Sequence, residues 1–551
     1  MSNTPLRNGE PNYQSIPTDP EAAAAAPDNQ AAKRNKRNKI IASVALGVLG
    51  AAAVAAIGVY FWKEPGHEPR NVIMMVSDGF GPASETFARQ YYTWEHDLPY
   101  KHILPLDSIH VGQSRTQSSS SLVTDSAAGA TAFSCAKKSY NGAIGVDPEE
   151  NPCGTVLESA KVHKDMLTGL VVTSRITHAT PAAFSAHVAW RDWENDIAAQ
   201  QIGENPLGRI VDLMFGGGSC QFLTNQTTGG CRKDDRDLFS EAKDKYGWKT
   251  FANSREQFDD LTEDVQLPLM GLYTPDHMSY NIDRDPKKEP SLAEMSKKAL
   301  SILSKASKKD KKGFFLMIEG SRIDMAAHSN DPAAHVHEIL AYQDTIQVVK
   351  DFVDANPGTV VVSTSDHETG GFTLGRQTTP DYPEYKWYGM AYVILNPDVI
   401  QRVQASAEIL TRNILSQATL TANYIEKVIV KQGLGINDAS KEELDYLTHW
   451  QQKNLTSSNI EEHLANMVSV RALIGWTTHG HTAVDVNLYA YGPESDKLRG
   501  THENTDIGDF ISQYLGLDLD AITSKLQSST FVKPLEVASD NQAKHRYGHS
   551  M

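Results

Sequence analysis

Over most of its length, this 551-residue chain has few basic residues compared with acidic ones, and it has only four cysteines. After residue 62 it contains 46 Lys and Arg against 64 Asp and Glu, a net charge of −18. Such an acidic body argues against binding of nucleic acid through a basic surface. An anionic substrate would therefore need a local positive centre, supplied by metal ions or by an arginine.

Charge is absent altogether from residues 40–62, which are mostly apolar. A helix needs about 20 such residues to cross a bilayer. Five Lys and Arg lie between positions 33 and 39, so the positive-inside rule keeps the N-terminus in the cytosol. We therefore predict a signal-anchor helix at 40–62 and a lumenal body at 63–535. A cleaved signal peptide is the alternative, but its n-region and apolar core would be shorter.

The two termini have the composition of loose tails. Residues 1–39 are rich in Asn, Pro and Ala, which predicts a disordered cytosolic tail. Within it, Tyr13-Gln14-Ser15-Ile16 has the pattern of a tyrosine-based sorting signal that an adaptor could bind. Residues 536–551 are polar and are expected to form a C-terminal tail.

A lumenal location would suit the cysteines and two sequons. Four cysteines allow three pairings, and the local one, Cys135 with Cys153 and Cys220 with Cys231, is the simplest. Free buried thiols are the alternative. Asn225 and Asn454 each begin an Asn-x-Thr triplet, which is a glycosylation acceptor when it is exposed in the secretory lumen.

Short apolar runs alternate with helical patterns along the body. The runs at 71–77, 170–173, 314–318 and 359–363 fit strands that are buried on both faces, as in a mostly parallel sheet. Apolar residues spaced three or four apart from Ile339 to Val353 predict a helix. These patterns indicate an α/β fold. The more polar stretch from about 377 to 475, with helical patterns at 403–415 and 442–449, predicts an insertion or subdomain.

One serine stands out because no histidine lies near it in the sequence. Ser126 begins the alanine-rich run SAAGATAF, directly after Asp125. A serine hydroxyl is a poor nucleophile unless a base, a lowered pKa or a metal activates it. The start of a helix also offers backbone amides to an anion.

Acidic residues follow three of the predicted strands. Asp78 follows the first run and precedes two glycines, Glu319 follows the third, and Asp366-His367 follows the fourth. In open α/β sheets, ligands bind beyond the carboxyl ends of the strands. We expect these acids to meet at one edge of the sheet.

Histidines complete the pattern of a metal site. Asp324 and His328 are four residues apart, so they share one face of a helix. Carboxylate and imidazole are ligands of zinc, and His479 and His481 offer further imidazoles late in the chain. Each pair is weak evidence by itself, since structural histidines are common. Together with Asp78 and Ser126 they predict a site for several metal ions.

A candidate anion-binding group follows the second run. The segment Thr177-His178-Ala179-Thr180-Pro181 is followed by Arg191. Arginine binds phosphate through two parallel hydrogen bonds, although an ordinary surface ion pair is the alternative. Two metal ions would explain how Ser126 works without a base, because one can activate the hydroxyl while the other stabilises the leaving oxygen.

In this order, the motifs DGFG, TDSAAGATAF, HATPAAFSAH with RDW, EGSRIDMAAH, SDHETGGF and HGHTAVDV resemble the alkaline phosphatases, from about residue 72 to 493. The resemblance implies a central sheet flanked by helices, a crown-like insertion, a homodimer and hydrolysis of phosphate monoesters through a phosphoserine. With the anchor and the basic tail, it points to the vacuolar members of the family in fungi. The implied roles are the nucleophile Ser126, the phosphate-binding Arg191, and ligands of two Zn²⁺ and one Mg²⁺: Asp324, His328 and His481 for the first zinc; Asp78, Asp366 and His367 for the second; Asp78, Thr180 and Glu319 for magnesium.

Two positions depart from the patterns of that family. Many bacterial members resemble this chain but have Asp at position 178 and Lys at 325, and animal members commonly have His at both. Here the residues are His178 and Met325. Met325 removes a titratable group near the phosphate, and His178 beside the magnesium ligands would favour zinc there or weaken magnesium binding.

Two other functions fit parts of this pattern. Related phosphodiesterases and pyrophosphatases usually lack the third metal site, for which Thr180 and Glu319 are present here. A membrane receptor that uses metals only for stability would have no need of Ser126. The sequence therefore predicts a phosphomonoesterase first and these two functions as competitors.

Overall fold

A ten-stranded sheet dominates residues 69–376, 396–417 and 419–535, the parts of the chain that this computed structural model describes. The strands in these residues are β1 (Asn71–Ser77), β2 (His110–Arg115), β3 (Leu167–Arg175), β4 (Leu213–Gly217), β5 (Thr250–Phe251), β6 (Leu269–Leu272), β7 (Phe314–Gly320), β8 (Thr359–Thr364), β9 (Glu368–Thr369), β10 (His481–Thr482), β11 (Val486–Tyr491) and β12 (Gly500–Glu503). The sheet order is β12-β2-β11-β8-β1-β7-β3-β4-β6-β5, and β9 pairs with β10 in a separate ribbon.

Helices cover both faces of this sheet. Those in the described residues are α1 (Pro82–Glu95), α2 (Ser126–Cys135), α3 (Val156–Val162), α4 (Ala179–Ser185), α5 (Glu194–Ile202), α6 (Leu238–Asp244), α7 (Arg255–Asp259), α8 (Leu292–Ser307), α9 (Arg322–His328), α10 (Pro332–Ala355), α11 (Pro397–Gln401), α12 (Ala407–Leu415), α13 (Ala422–Tyr424), α14 (Lys441–Thr448), α15 (Ser457–Ala472), α16 (Asn504–Leu515) and α17 (Leu519–Leu526). A π-helical segment, Ile425–Gly433, continues α13.

The four apolar runs form neighbouring strands at the centre of the sheet. The run at 71–77 is β1, which pairs in parallel with β7 on one side and with β8 on the other. β3 pairs in parallel with β7. Within the described sheet, only β11 runs against its neighbours, β2 and β8. The predicted mostly parallel α/β fold is confirmed.

The apolar core is divided into two layers by the central strands. Side chains at alternate positions of a strand point to opposite faces. Ile73 and Met75 accordingly belong to one buried cluster, together with residues of α8 and α10. Val72, Met74 and Val76 belong to the other, together with residues of α2 and α4. Because both faces are covered, the central strands read as continuous apolar runs.

The predicted helix around 339–353 lies within α10, and all five of its apolar positions are buried. The pattern at 442–449 corresponds to α14. The helix predicted at 403–415 begins later than expected, at Ala407. Ser406 caps this helix, α12, by accepting a hydrogen bond from the amide of Ile409 at 3.1 Å. The described helices of 396–475 contribute to the same apolar cluster as α8 and α10. The predicted insertion begins, at about 377, outside the described residues.

Both local disulfides are present, Cys135–Cys153 and Cys220–Cys231, with Cα atoms 5.9 and 5.0 Å apart. The predicted pairing is confirmed. Asn225 and Asn454 are exposed, so glycosylation of either stays a prediction. The tail at 1–39, the sorting pattern from Tyr13 to Ile16, the anchor at 40–62 and the tail at 536–551 lie outside the described residues. Among the residues that are described, no helix has the length and apolar character needed to span a membrane.

Candidate active site

Three neighbouring strands deliver the predicted acidic residues to one edge of the sheet. Val76 of β1 pairs with Glu319 of β7, and Asp78 directly follows the last residue of β1. On the other side, Val76 pairs with Thr364 of β8, which precedes Asp366 and His367. Because parallel strands end at the same edge, residues far apart in sequence become neighbours here.

Ser126 reaches this edge at the first position of α2. The Asp125 side chain caps the helix by accepting a hydrogen bond from the amide of Ala128 at 3.0 Å, as is common at helix starts. All ten residues of α2 are buried. A side chain at Gly129 would approach the Asp366 Cβ to 2.9 Å. The small residue at this position therefore lets the helix pack against the residues that follow β8.

The Ser126 hydroxyl lies among the ligand atoms predicted for the second zinc. Its Oγ is 3.1 Å from His367 Nε2 and 3.4 Å from Asp78 Oδ1. The same Nε2 is 3.3 Å from Asp366 Oδ2 and 3.6 Å from Asp78 Oδ1. Ligands on a tetrahedral zinc with bonds of about 2.0–2.1 Å lie about 3.3 Å from one another. The four side chains thus have the spacing of one ion's ligands.

The arrangement differs from that of a Ser–His–Asp triad. In a triad, the carboxylate bonds Nδ1 while Nε2 faces the serine. Here Asp78, Asp366 and Ser126 all approach Nε2 of His367, and Nδ1 lies 3.2 Å from Thr369 Oγ1. The geometry favours an ion at Nε2 over an imidazole that acts as general base.

The ligand atoms predicted for the first zinc also converge. Asp324 Oδ1 lies 3.4 Å from His328 Nε2 and 3.6 Å from His481 Nε2, and these two nitrogens are 3.0 Å apart. The β9–β10 ribbon brings His481 here by pairing it with Thr369. The rings of His481 and His367 stack with centroids 3.5 Å apart, so the two groups adjoin each other. Gly79 permits the approach of α9, because a Cβ there would lie 2.6 Å from Asp324 Cα.

The residues predicted for magnesium are buried between β7 and α4. Ligand atoms of Asp78, His178 and Glu319 lie within 4.8 Å of one another. Among the described residues, the buried side-chain atoms at this edge that have no hydrogen-bond partner include Asp78 Oδ2, His178 Nδ1, Thr180 Oγ1, Glu319 Oε1 and Asp366 Oδ2. Buried polar atoms are rarely left without partners in folded proteins. A bound cation would satisfy the oxygens among them.

Electrostatics at this edge are dominated by crowded carboxylates. Burial, reinforced by repulsion from neighbouring carboxylates, raises the pKa of Asp78 well above its usual range. Burial likewise raises the pKa of Asp366 and of Glu319 to about 7. Asp324 differs, because His328, His481 and His367 outweigh its burial and hold its pKa well below the usual range. The part of the site that is formed by Asp78, Asp366 and Glu319 therefore lacks positive charge.

Arg191 and Ser126 both line an open cleft of about 450 Å³. Its guanidinium donates to Asp125 Oδ2 at 3.0 Å, and its other nitrogen lies 3.2 Å from His178 Nε2. Met325 lines the same cleft. Although burial opposes it, the Asp125 carboxylate raises the pKa of the guanidinium, which stays charged. An anion in this cleft would meet Arg191 and the amino end of α2 together.

Several residues of the site were not predicted from the sequence. Thr369 donates to Asp324 Oδ1 at 2.5 Å, and His277 lines the cleft beside His178, with ring centroids 5.4 Å apart. Asp125 links the cap of α2 to Arg191. His479 does not enter the ligand group, since its Nδ1 lies 2.8 Å from the backbone oxygen of His328. Of these residues, only Asp125 has a local sequence signal that could have identified it, an acidic residue directly before a predicted helix.

The sequence model of the family described as "Alkaline phosphatase" matches residues 69–517 of this chain. The repressible alkaline phosphatase of Saccharomyces cerevisiae is 45% identical, over 94% of this chain and 95% of its own length. The chain belongs to the alkaline phosphatase family. The alkaline phosphatase of Schizosaccharomyces pombe is 48% identical, over 85% of each chain. The described residues therefore form the body of an enzyme, a hydrolase, and the resemblance seen in the sequence is confirmed.

Solved alkaline phosphatases have the same fold. The cold-active enzyme of a psychrophilic Shewanella matches with a TM-score of 0.67 and 31% identity, over 81% of this chain and 99% of its own. The Thermus thermophilus enzyme matches with a TM-score of 0.69 and 26% identity, over 84% and 96%. A variant of the enzyme from the Antarctic bacterium TAB5, in which a histidine is replaced by glutamate, was solved with Mg bound at its M3 site, and it matches with a TM-score of 0.55 and 26% identity, over 82% and 99%. Hydrolysis of phosphate monoesters is the activity that family and fold support.

Proposed function

We propose that this alkaline phosphatase hydrolyses phosphate monoesters through a covalent phosphoserine at Ser126, at a site for two Zn²⁺ and one Mg²⁺. The observation that carries the proposal is the position of the Ser126 hydroxyl. It lies 3.1 Å from His367 Nε2 and 3.4 Å from Asp78 Oδ1, at the amino end of a buried helix and in the cleft that Arg191 also lines. A nucleophile, ligand atoms and a cation for phosphate thus surround one small volume.

The donor atoms fit these ions. Asp78, Asp366 and His367 would hold one zinc and Asp324, His328 and His481 the other, since zinc binds imidazole nitrogen and carboxylate oxygen. Asp78, Thr180 and Glu319 offer only oxygen, which magnesium prefers. When bound, such ions would lower the pKa of the serine hydroxyl and offset charge on the leaving oxygen. The unpartnered oxygens of Asp78, Thr180, Glu319 and Asp366 support this assignment.

The protein side chains position the substrate for an in-line displacement. Arg191 and the first amides of α2 bind the non-bridging oxygens of the phosphoryl group. The Ser126 oxygen attacks phosphorus, a new P–O bond forms, and the bond from phosphorus to the alcohol oxygen breaks. The proton of the Ser126 hydroxyl is released to solvent, and the leaving oxygen takes up a proton from solvent, so that it departs as the alcohol. Asp125 is a positioning residue in this step, because it holds both the amino end of α2 and the guanidinium of Arg191.

A water molecule completes the cycle. It attacks the phosphoserine from the side that the alcohol has left, and a new P–O bond forms. The bond from phosphorus to Ser126 Oγ breaks, the serine oxygen regains a proton as the water loses one, and inorganic phosphate leaves. His178 sits beside Arg191 and close to the oxygens of Asp78 and Glu319. Its unpartnered Nδ1 could serve as a further ligand there, which would favour zinc over magnesium at the third position.

The setting we propose rests on the sequence. The chain would be a single-pass type II protein of the vacuolar membrane, with residues 63–535 in the lumen, glycosylated at Asn225 and Asn454. A homodimer is the assembly that the family resemblance implies, and an adaptor could bind Tyr13 to Ile16. Protease added to sealed vesicles should trim only the tail before Lys39, and digestion of the body would contradict this orientation.

The test of the mechanism is Ser126→Ala compared with Ser119→Ala, an exposed serine of the preceding loop. Ser126→Ala should lower turnover of p-nitrophenyl phosphate by a factor of about 10³ or more while zinc content stays unchanged. Ser119→Ala should match the wild type. Equal turnover in both variants would mean that Ser126 is not the nucleophile, as in a receptor without catalysis. Faster hydrolysis of bis(p-nitrophenyl) phosphate than of the monoester would show a phosphodiesterase.

A further inference from the structure

A second cleft lies beside the catalytic one, on the side where the alcohol leaves. In the proposed mechanism the leaving oxygen departs roughly opposite the attacking oxygen, on the side of the group formed by Asp324, His328 and His481, which lines the same cleft as Ser126. The His328 side chain is the most exposed of these three, at 39% against 7% and 13%. The rest of the alcohol therefore passes His328 on its way to solvent.

His328 also forms the boundary between the two clefts. His328 lines the catalytic cleft and His479 lines the second one. Each ring is held by the backbone of the other residue: His479 Nδ1 lies 2.8 Å from the His328 oxygen, and His328 Nδ1 lies 2.5 Å from the His479 oxygen. A substituent on the leaving oxygen is thus one side chain away from the second cleft.

The wall of the second cleft is a polar stripe on α15. Asn459, Glu462, His463 and Asn466 recur at spacings of three or four and line the cleft, while Ile460, Leu464 and Met467 on the other side of the helix are buried. Amides both donate and accept hydrogen bonds, and a carboxylate accepts them. Hydroxyl groups, which also do both, are the complementary chemistry.

The charge of this cleft is balanced, unlike that of the catalytic cleft. Apart from histidines, the charged side chains that line it are those of Glu462 and Arg376. The Arg376 guanidinium already donates to the backbone oxygen of Ile474 at 3.2 Å. A second phosphate or carboxylate on the substrate would therefore find little net attraction here. The lining favours an uncharged, hydroxylated group.

Contacts between the lining residues hold the shape of the cleft, and its volume suits a small molecule. Trp476 donates from Nε1 to Ser469 Oγ at 3.0 Å, and the rings of Tyr446 and His463 stack with centroids 4.1 Å apart. Its volume of about 330 Å³ lies at the lower end of the range of about 300–1,000 Å³ that is usual for small-molecule sites. A sugar ring or a short polyol has these dimensions, with Trp476 as an apolar surface for its C–H groups.

We propose that this cleft binds the leaving alcohol of polyhydroxylated substrates, so that sugar phosphates are preferred over monoesters with an apolar leaving group of similar size. The proposal rests on the proposed function, because it assumes that the alcohol leaves past His328. Asn466 and Glu462, on successive turns of α15, would bind hydroxyl groups of the alcohol.

The test compares glucose 6-phosphate with p-nitrophenyl phosphate in the full-length enzyme. We expect Asn466→Leu and Glu462→Leu each to lower the ratio of the two kcat/KM values by about 3- to 10-fold, the effect of one or two lost hydrogen bonds. Asn413→Leu, the same change at an exposed position of α12 outside the cleft, should leave the ratio unchanged. Zinc content and Tm confirm that each variant is folded.

A binding measurement separates this proposal from the mechanism. In the Ser126→Ala protein, calorimetry should show tighter binding of glucose 6-phosphate than of inorganic phosphate, and adding Asn466→Leu should remove the difference. If both cleft variants keep the wild-type ratio, or if the two ligands bind equally, the cleft does not bind the alcohol. If wild-type enzyme fails to hydrolyse p-nitrophenyl phosphate, the proposed function fails instead, and the binding comparison still decides the role of the cleft.

Discussion

Buried carboxylates occur in two regions of this molecule, and they differ in what their oxygens contact. At the carboxyl edge of the sheet, Asp78, Asp366 and Glu319 each have an oxygen without a hydrogen-bond partner. Away from that edge, Glu85 accepts from Asn487 and Tyr489. Asp331 accepts from three backbone amides, and Glu338 accepts from one.

Burial raises the pKa in both regions, so a raised pKa alone does not mark the active site. It is raised to about 7 at Glu85, Glu319, Glu338 and Asp366, and to about 6 at Asp331. What distinguishes the carboxyl edge is the combination of burial with unpartnered oxygens. The first region has the features of a candidate cation site, and the second joins helices to the sheet and to one another.

Removal of metal should have the largest effect. Chelation should abolish turnover and lower the unfolding free energy by about 4 kcal/mol for each ion whose free concentration was about 1,000 times its Kd. Asp366 and Glu319 have pKa values of about 7 in the folded protein, well above those of the unfolded chain. In the chelated protein these two carboxyl groups therefore contribute stability that increases as pH falls from about 8 to 5, since they bind more protons in the folded state than in the unfolded chain.

The zinc-loaded enzyme should show the opposite trend, because protons compete with metal for the same oxygens. Thermal unfolding of both forms across this pH range checks the prediction. A chelated protein whose Tm is independent of pH would contradict the raised pKa values of these carboxyl groups.

The next test exchanges one carboxylate from each region for its amide. Asp78 contributes to two ligand groups, so Asp78→Asn should lose two of three metal equivalents and lower turnover by a factor of about 10³, in line with several kcal/mol of lost transition-state stabilisation. Glu85→Gln should keep full metal content and turnover. Metal analysis with steady-state kinetics measures both. Equal effects of the two variants would remove the distinction between the regions.

A smaller effect is expected at Arg191, the cation that the protein itself brings to the site. Arg191→Lys keeps the charge but loses the fork that binds two phosphate oxygens. We expect kcat/KM to fall about 10- to 100-fold, which corresponds to a lost hydrogen bond between charged groups. Arg209→Lys is the matched control, because Arg209 pairs with Asp212 away from the cleft. Wild-type kinetics for Arg191→Lys would reduce Arg191 to an ion-pair partner of Asp125.

The smallest effect concerns the stability contributed by the second region. The pKa of Glu85 is about 7 when folded and about 4.5 when unfolded, so its contribution is present below pH 4.5 and lost as pH rises through 7. The unfolding free energy of Glu85→Gln should decrease between about pH 5 and 8 by about 2 kcal/mol less than that of the wild type. Denaturant unfolding at several pH values measures this. Glu426→Gln, at an exposed position, should not alter the slope, and an unaltered slope in Glu85→Gln would contradict the burial argument.

The central strands and the ligand groups could be predicted because their signals are local. Strands buried on both faces read as apolar runs, and each ligand group contains a short-range pattern, such as Asp366 beside His367 or Asp324 four residues before His328. Because parallel strands end at the same edge of a sheet, these separate patterns could be predicted to lie close together. The roles of the joined residues stay predictions, although their atoms do converge.

Contacts between distant loops could not be predicted in this way. The sequence around Ser126 contains no histidine, yet His367 lies 3.1 Å from its hydroxyl, because packing of α2 against the end of β8 brings them together. His277 and Thr369 enter the site from a loop and from a two-residue strand, neither of which has a recognisable pattern. The start of α12 was also missed, since one capping residue, Ser406, decided it.

Trapping of the phosphoserine intermediate tests the proposed mechanism most directly. The wild-type enzyme should be mixed with ³²P-labelled phosphate at low pH, quenched in acid, digested and analysed by mass spectrometry, with Ser119→Ala and Ser126→Ala treated alongside. We predict one labelled peptide, phosphorylated at Ser126, in the wild type and in Ser119→Ala, and none in Ser126→Ala. A label on another residue, or hydrolysis in the wild type without any covalent label, would contradict the proposed mechanism.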